Sequence, residues 1–206
     1  MLNLNAEDLN LKNILEYEAS KITGMTYIPD YINLEEQEKL LNIIDQQLWS
    51  IELQRRIQQY GYTYEHLDGI IVSSQYWGAL PDWANSLAKR LSNEFSTTVV
   101  PDQLLINEYL PGQGCKNHID CIPCFNSTIF ILSFLSQCVM NFTQYQTKEK
   151  TQLLLLPGSL LVLQGAARYH WLHGIDATDK DRYNGKDIMR SRRISMTFRK
   201  VLFPHQ

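Results

Sequence analysis

The chain has 206 residues, a length that one hydrophobic core serves and two full domains would strain. Hydrophobic residues make up 44% and charged residues 20%, which excludes a disordered chain, and 19 basic against 22 acidic side chains give a net charge of −3, which excludes binding to a polyanion by bulk charge. Any nucleic-acid contact must therefore come from a local basic patch. Cys115, Cys121, Cys124 and Cys138 are too few and too clustered to staple a secreted scaffold, so a reducing compartment is expected. Residues 1–15 lack the basic start and apolar run of a secretory signal. The longest apolar stretch, Leu153 to Leu163, is broken by Pro157 and Gly158 and falls short of a bilayer span. These features predict a soluble, cytoplasmic protein with no membrane partner, expected to be a monomer.

In chain order, residues 1–25 show no firm apolar period and read as an N-terminal extension on the surface of a domain spanning 26–206. Asn33 followed three places later by Glu36, ahead of Leu40, Leu41, Ile44 and Leu48, predicts a helix over 34–48. Pro81-Asp82 opens a second helix over 81–95, with Trp83, Leu87, Leu91 and Phe95 at successive i+4 positions. Beyond residue 100, β-rich runs at 104–109, 128–134, 138–145, 152–156, 159–163 and 193–202 are separated by turn residues such as Pro111-Gly112 and Pro157-Gly158. Their spacing predicts a mainly β, α+β fold: a jelly-roll, or double-stranded β-helix, core with flanking N-terminal helices. Residues 176–192 read as one long polar loop of the kind that carries function.

His118-Ile119-Asp120 places an imidazole and a carboxylate two residues apart, on one face of an extended chain, where they can share a metal ion. A second histidine from a later strand would complete a two-histidine, one-carboxylate site with open positions for Fe(II). His173 is the candidate and His170 its competitor; ordinary structural histidines are the alternative to both. In the alternating strand Arg193 to Arg199, two arginines six apart point to one face. Buried arginines need anions, so that face implies either two structural carboxylates or one dianionic ligand such as 2-oxoglutarate. The competing reading puts Ile194, Met196 and Phe198 in the core and the arginines in solvent.

The run Asn107-Glu108-Tyr109-Leu110-Pro111-Gly112-Gln113-Gly114, then His118-Ile119-Asp120, Arg168 to Ile175 and Arg193 to Arg199, resembles the AlkB family of Fe(II)- and 2-oxoglutarate-dependent dioxygenases across residues 26–202. The resemblance implies that His118, Asp120 and His173 hold Fe(II) and are the catalytic centre. It also implies that Asn107, Tyr109, Arg193 and Arg199 bind 2-oxoglutarate, with Arg193 at the distal carboxylate and Arg199 nearer the metal. Dioxygen and 2-oxoglutarate would be consumed and succinate released while a substrate C–H bond is oxidised; on an N-methyl group this gives formaldehyde and the demethylated nitrogen.

The resemblance further implies a nucleic-acid substrate, single-stranded or flipped-base DNA or tRNA, and oxidative demethylation of alkylated bases in repair. Two departures weaken a direct transfer. No acidic residue follows Asp120 in Cys121-Ile122-Pro123-Cys124, and Leu163 stands where repair members can carry a stacking Trp. Pro101-Asp102-Gln103 and Cys138 to Phe142 look more like the tRNA wobble-uridine oxygenase branch, making hydroxylation of a modified uridine the alternative, with a catalytically silent jelly-roll module as a third reading. Tyr60, Tyr62 and Tyr64 correspond to a substrate lid, and Arg55, Arg56, Lys186, Arg190 and Arg192 are candidates for a phosphate-contacting rim. Cys121 and Cys124 lack the second pair a structural zinc site requires, though their place beside the expected metal ligands exposes them to oxidation.

Overall fold

The strand over Arg193–Arg199 settles the architecture, because both of its faces are buried for different reasons. Ile194, Met196 and Phe198 are fully enclosed on one side, while Arg193, Ser195, Thr197 and Arg199 are enclosed on the other. A strand covered on both faces must lie in the middle of a layered fold. The computed structural model describes residues 6–51, 55–63 and 76–202. Its elements are α1 (Ala6–Ser20), β1 (Met25–Ile28), α2 (Leu34–Asp45), β2 (Ile57–Tyr60), α3 (Asp82–Glu94), β3 (Gln103–Tyr109), β4 (Cys115–His118), β5 (Ile129–Leu135), β6 (Cys138–Gln144), β7 (Lys150–Leu155), β8 (Leu160–Leu163), α4 (Gly165–Tyr169), β9 (Trp171–Ile175), β10 (Lys180–Tyr183), β11 (Lys186–Met189) and β12 (Arg193–Arg199).

A six-stranded sheet runs β1-β8-β5-β12-β3-β2 and a four-stranded sheet runs β4-β9-β6-β7; every pairing is antiparallel. Between them lies one apolar cluster, with Ile131, Leu161 and Leu163 from the large sheet and Met140, Phe142 and Leu153 from the small one. The outer face of the large sheet, carrying Leu104, Ile106, Phe130, Leu132, Ile194, Met196 and Phe198, packs with Leu40 and Ile44 of α2 and Leu87 and Leu91 of α3 in a second cluster. Each such side chain contributes about 1.5–3 kcal/mol when fully buried. This is the expected jelly-roll core with flanking helices, and no described helix is long and apolar enough to cross a membrane.

Local signals account for most boundaries. The Oδ1 of Asn33 accepts from the Glu36 amide at 2.9 Å and caps α2. That helix stops at Asp45, short of the expected residue 48, and Leu48 projects into solvent, 96% exposed. The described part of the N-terminal segment is ordered against the domain. Residues 6–20 form α1, and Leu15, Ala19 and Ile22 are buried in the inter-sheet cluster before Met25 opens β1 against β8. The polar stretch 176–192 is a hairpin rather than a loop: β10 and β11 are joined at Asn184-Gly185, both with positive φ (48° and 79°), the conformation a two-residue type I′ turn demands.

Candidate active site

Antiparallel pairing of β4 with β9 sets His118 directly opposite His173, with ring centroids 4.5 Å apart. The approach depends on Gly174, where a Cβ would stand 2.3 Å from the Oδ1 of Asn117 and 2.8 Å from the carbonyl of Cys115. Asp120 follows just past the end of β4. One ligand atom from each of His118, Asp120 and His173 lies within 4.8 Å of the others, so a single ion can meet all three. The competitor His170 is exposed at the C-terminal end of α4 and has no part in the cluster.

The charge states suit a divalent cation. Burial pushes the Asp120 carboxyl up, but Arg199 first, then His173, His118 and Arg168, outweigh it and hold the pKa at about 2. Burial pushes the His173 imidazole down to about 4, so near neutral pH the pair is an ionised carboxylate and a neutral imidazole, the forms that ligate metals. The Nδ1 of His118 lies 2.8 Å from the carbonyl of Lys116; a proton held there leaves Nε2 as the ligand atom. The Oδ2 of Asp120 is buried without a hydrogen-bond partner among the described residues.

Arg199 and Arg193 come from the two ends of β12. The Nη2 of Arg199 lies 2.5 Å from the Oδ1 of Asp120, and its Nη1 donates to the Oε1 of Gln103 at 3.3 Å. Arg193, 2% exposed, donates from Nη2 to the Oγ of Ser133 at 2.9 Å, while its Nε and Nη1 are buried with no partner among the described residues. A buried guanidinium without a carboxylate is costly unless a ligand supplies the anion. Asn107 and Tyr109 lie alongside on β3, and with Arg55, Arg193, Arg199, His118 and His173 they line one cavity. Burial raises the Tyr109 phenol to about 12, which keeps it protonated and able to donate. The seven residues singled out from sequence are therefore all at this one place, and the arginines face inward rather than solvent.

Two residues at the site have roles not expected from the sequence. Arg168 of α4 is 2% exposed and donates to the carbonyls of Asp120 (2.8 Å) and Cys121 (3.0 Å), pinning the segment that carries the carboxylate. Arg55, expected on an outer rim, instead lines the cavity. The rest of that rim is largely neutralised. Glu108 receives both Arg56 (2.5 Å) and Arg192 (2.7 Å), Arg192 also pairs with Asp45, and Arg190 is held bidentately by Asp181. Lys186 is exposed. Of the tyrosines expected at a lid, Tyr60 packs edge-on to Trp83 of α3 at 5.6 Å, Tyr62 is 8% exposed against Tyr76, and Tyr64 lies outside the described residues. Cys121 and Cys124 are joined as a disulfide.

A family model described as the 2OG-Fe(II) oxygenase superfamily matches residues 46–199. An uncharacterised protein, L905 of Acanthamoeba polyphaga mimivirus, is 35% identical over 190 residues, covering 89% of this chain and 88% of its own. The Alkylated DNA repair protein ALKBH8 homolog of Arabidopsis thaliana is 32% identical over 203 residues; 87% of this chain is covered, but only 59% of that protein's length. Among solved structures, OsALKBH1 superposes with a TM-score of 0.65 at 15% identity, covering 86% of this chain and 98% of its own, which supports the fold.

Proposed function

The chain belongs to the 2OG-Fe(II) oxygenase superfamily, within it to the AlkB family, and is an enzyme that uses Fe(II) and 2-oxoglutarate; from that premise we propose that it oxidises a C–H bond on a modified base of DNA or RNA, the leading reaction being oxidative removal of an N-alkyl group. In this reading His118, Asp120 and His173 hold the iron. Arg193, Arg199, Asn107 and Tyr109 hold the keto acid. When bound, iron with 2-oxoglutarate activates dioxygen, releasing succinate and carbon dioxide and delivering one oxygen atom to the substrate carbon.

The chain's own part is placement and charge. Arg193, whose Nε and Nη1 are buried and unpartnered among the described residues, is the single observation that carries the cosubstrate assignment, since a distal carboxylate is the group a guanidinium there requires. Tyr109 stays protonated and can donate to the same carboxylate. Arg168 holds the successive backbone carbonyls of Asp120 and Cys121, which fixes the direction of the Asp120 side chain. Glu108 and Asp45 keep Arg192 and Arg56 on the outer side, so they do not compete for the dianion.

A nucleic-acid substrate is supported by the name of the Arabidopsis relative. A second reading, hydroxylation of a modified tRNA uridine, is favoured by the segment after Asp120. There the chain has a disulfide-closed turn, Cys121 to Cys124, and no acidic side chain to read the edge of an alkylated base. The deciding experiment incubates the protein with Fe(II), 2-oxoglutarate and, separately, methylated single-stranded DNA, methylated duplex DNA and bulk tRNA, followed by mass spectrometry of the nucleosides. Loss of methyl groups with formaldehyde release supports demethylation. A gain of one oxygen on tRNA uridine supports the second reading, and unchanged nucleosides in every sample overturn both.

A further inference from the structure

Arg55 contacts both cosubstrate residues of β3 at once. Its Nε donates to the Oδ1 of Asn107 at 2.9 Å, and its guanidinium carbon lies 5.2 Å from the centroid of the Tyr109 ring. Arg193 lies 5.4 Å from the same centroid. Further contacts, from Nη1 to the carbonyl of Gly114 (3.4 Å) and from Nη2 to the Sγ of Cys115 (3.9 Å), tie Arg55 to the start of β4. Arg55 itself comes from a different part of the chain, just ahead of β2, which pairs with β3 in the register Ile57 opposite Asn107.

The chemistry of the contact fixes a choice that Asn107 cannot make alone. A guanidinium has five donors and no acceptor, so the Asn107 amide must turn its oxygen toward Arg55 and its amino group away. Asn107 is 4% exposed and lines the cavity, and its Nδ2 has no hydrogen-bond partner among the described residues. With the amide turned the other way, a carbonyl oxygen would face the incoming dianion and repel it. We propose that Arg55 is a positioning residue for cosubstrate binding: it locks the Asn107 amide with its N–H groups aimed into the cavity and braces the Tyr109 ring. The inference rests on the reading of Asn107 and Tyr109 as the 2-oxoglutarate contacts, and adds to it the residue that sets their orientation.

The test measures 2-oxoglutarate affinity by titration calorimetry on the Mn(II)-loaded full chain under nitrogen, and KM and kcat for succinate formation on the iron-loaded enzyme. The variants are Arg55→Ala, Arg55→Lys, Asn107→Ala and the double variant of Arg55→Ala with Asn107→Ala. Arg55→Ala should weaken 2-oxoglutarate binding and raise its KM about tenfold, the size of one misdirected hydrogen bond to a charged group, with kcat at saturation within about a factor of two. Arg55→Lys should recover only part of this, because an ammonium lacks the planar fork. In the Asn107→Ala background, loss of Arg55 should cost clearly less than in the wild type, the remainder reflecting its brace on Tyr109. Unchanged affinity in Arg55→Ala, or effects that multiply in full in the double variant, would overturn the inference while leaving the cosubstrate reading intact. Failure of the wild-type protein to bind 2-oxoglutarate or form succinate would overturn the reading itself.

Discussion

The Nη2 of Arg199 lies 2.5 Å from the Oδ1 of Asp120, so the strand that turns Arg193 into the cavity also reaches, from its other end, the carboxylate grouped with His118 and His173. Arg199 is the foremost of the charges that hold Asp120 ionised against its burial. Replacing it with alanine should weaken Co(II) binding, measured by calorimetry at neutral pH, by about 10–100-fold, the usual effect of removing an outer partner of a metal ligand. Arg199→Lys should fall between the alanine variant and wild type. Equal affinities in all three would mean that the contact does not support the ligand.

Arg193 presents the opposite balance of stability and function. Because its Nε and Nη1 are buried and unpartnered among the described residues, Arg193→Met should leave the unliganded protein as stable as wild type or stabilise it by about 1 kcal/mol, as measured by urea unfolding. The same substitution should abolish the protection that 2-oxoglutarate gives the wild type. A clear loss of stability without ligand would show that the guanidinium is structurally satisfied.

Gly174 tests the strand approach that brings the imidazoles together. A methyl group there would meet Asn117 and the Cys115 carbonyl at less than 3 Å, and the cheapest relief is for β4 to move off β9. Gly174→Ala should therefore lower metal affinity while far-ultraviolet circular dichroism stays native. Unaltered Co(II) binding would mean that β4 can shift without separating His118 from His173.

Glu108, 1% exposed, accepts from Arg56 and Arg192, and these charges hold its pKa below the usual carboxylate range. A depressed folded-state pKa stabilises the protein above the unfolded pKa, and the contribution is lost as pH falls through the folded value. Glu108→Gln should cost about 1–3 kcal/mol at pH 7, and the gap from wild type should close as the solution is acidified below about pH 4. A gap constant with pH would contradict the pairing.

Features that repeat at the backbone's own period are legible in the sequence. Alternation in Arg193 to Arg199 divides an apolar face from a polar one, and β12 keeps that division. The six β-rich runs correspond to β3, β5, β6, β7, β8 and β12 with boundary shifts of a few residues at most. Elements with little apolar contrast leave no such trace. In α1 and the turn after it, the buried positions Leu15, Ala19 and Ile22 supply only about one apolar side chain per turn, one of them alanine. The short strands β4 and β9 are dominated by site residues instead of by a hydrophobic pattern. Asn184-Gly185 is a hairpin signal that the surrounding charges obscure. The role of Arg55 has no local signature, since it depends on β2 pairing with β3, which brings Arg55 to an asparagine 52 positions further along the chain.

All of this chemistry depends on His118, Asp120 and His173 together holding one Fe(II) beside 2-oxoglutarate. Iron-dependent formation of succinate from 2-oxoglutarate, by the wild type and by His118→Ala, Asp120→Ala and His173→Ala, each first shown to be folded, probes that dependence without knowledge of the substrate. Succinate is expected from the wild type with added ferrous iron, with a loss of at least about 100-fold in every variant. Turnover in any folded variant at the wild-type rate would contradict a shared metal centre.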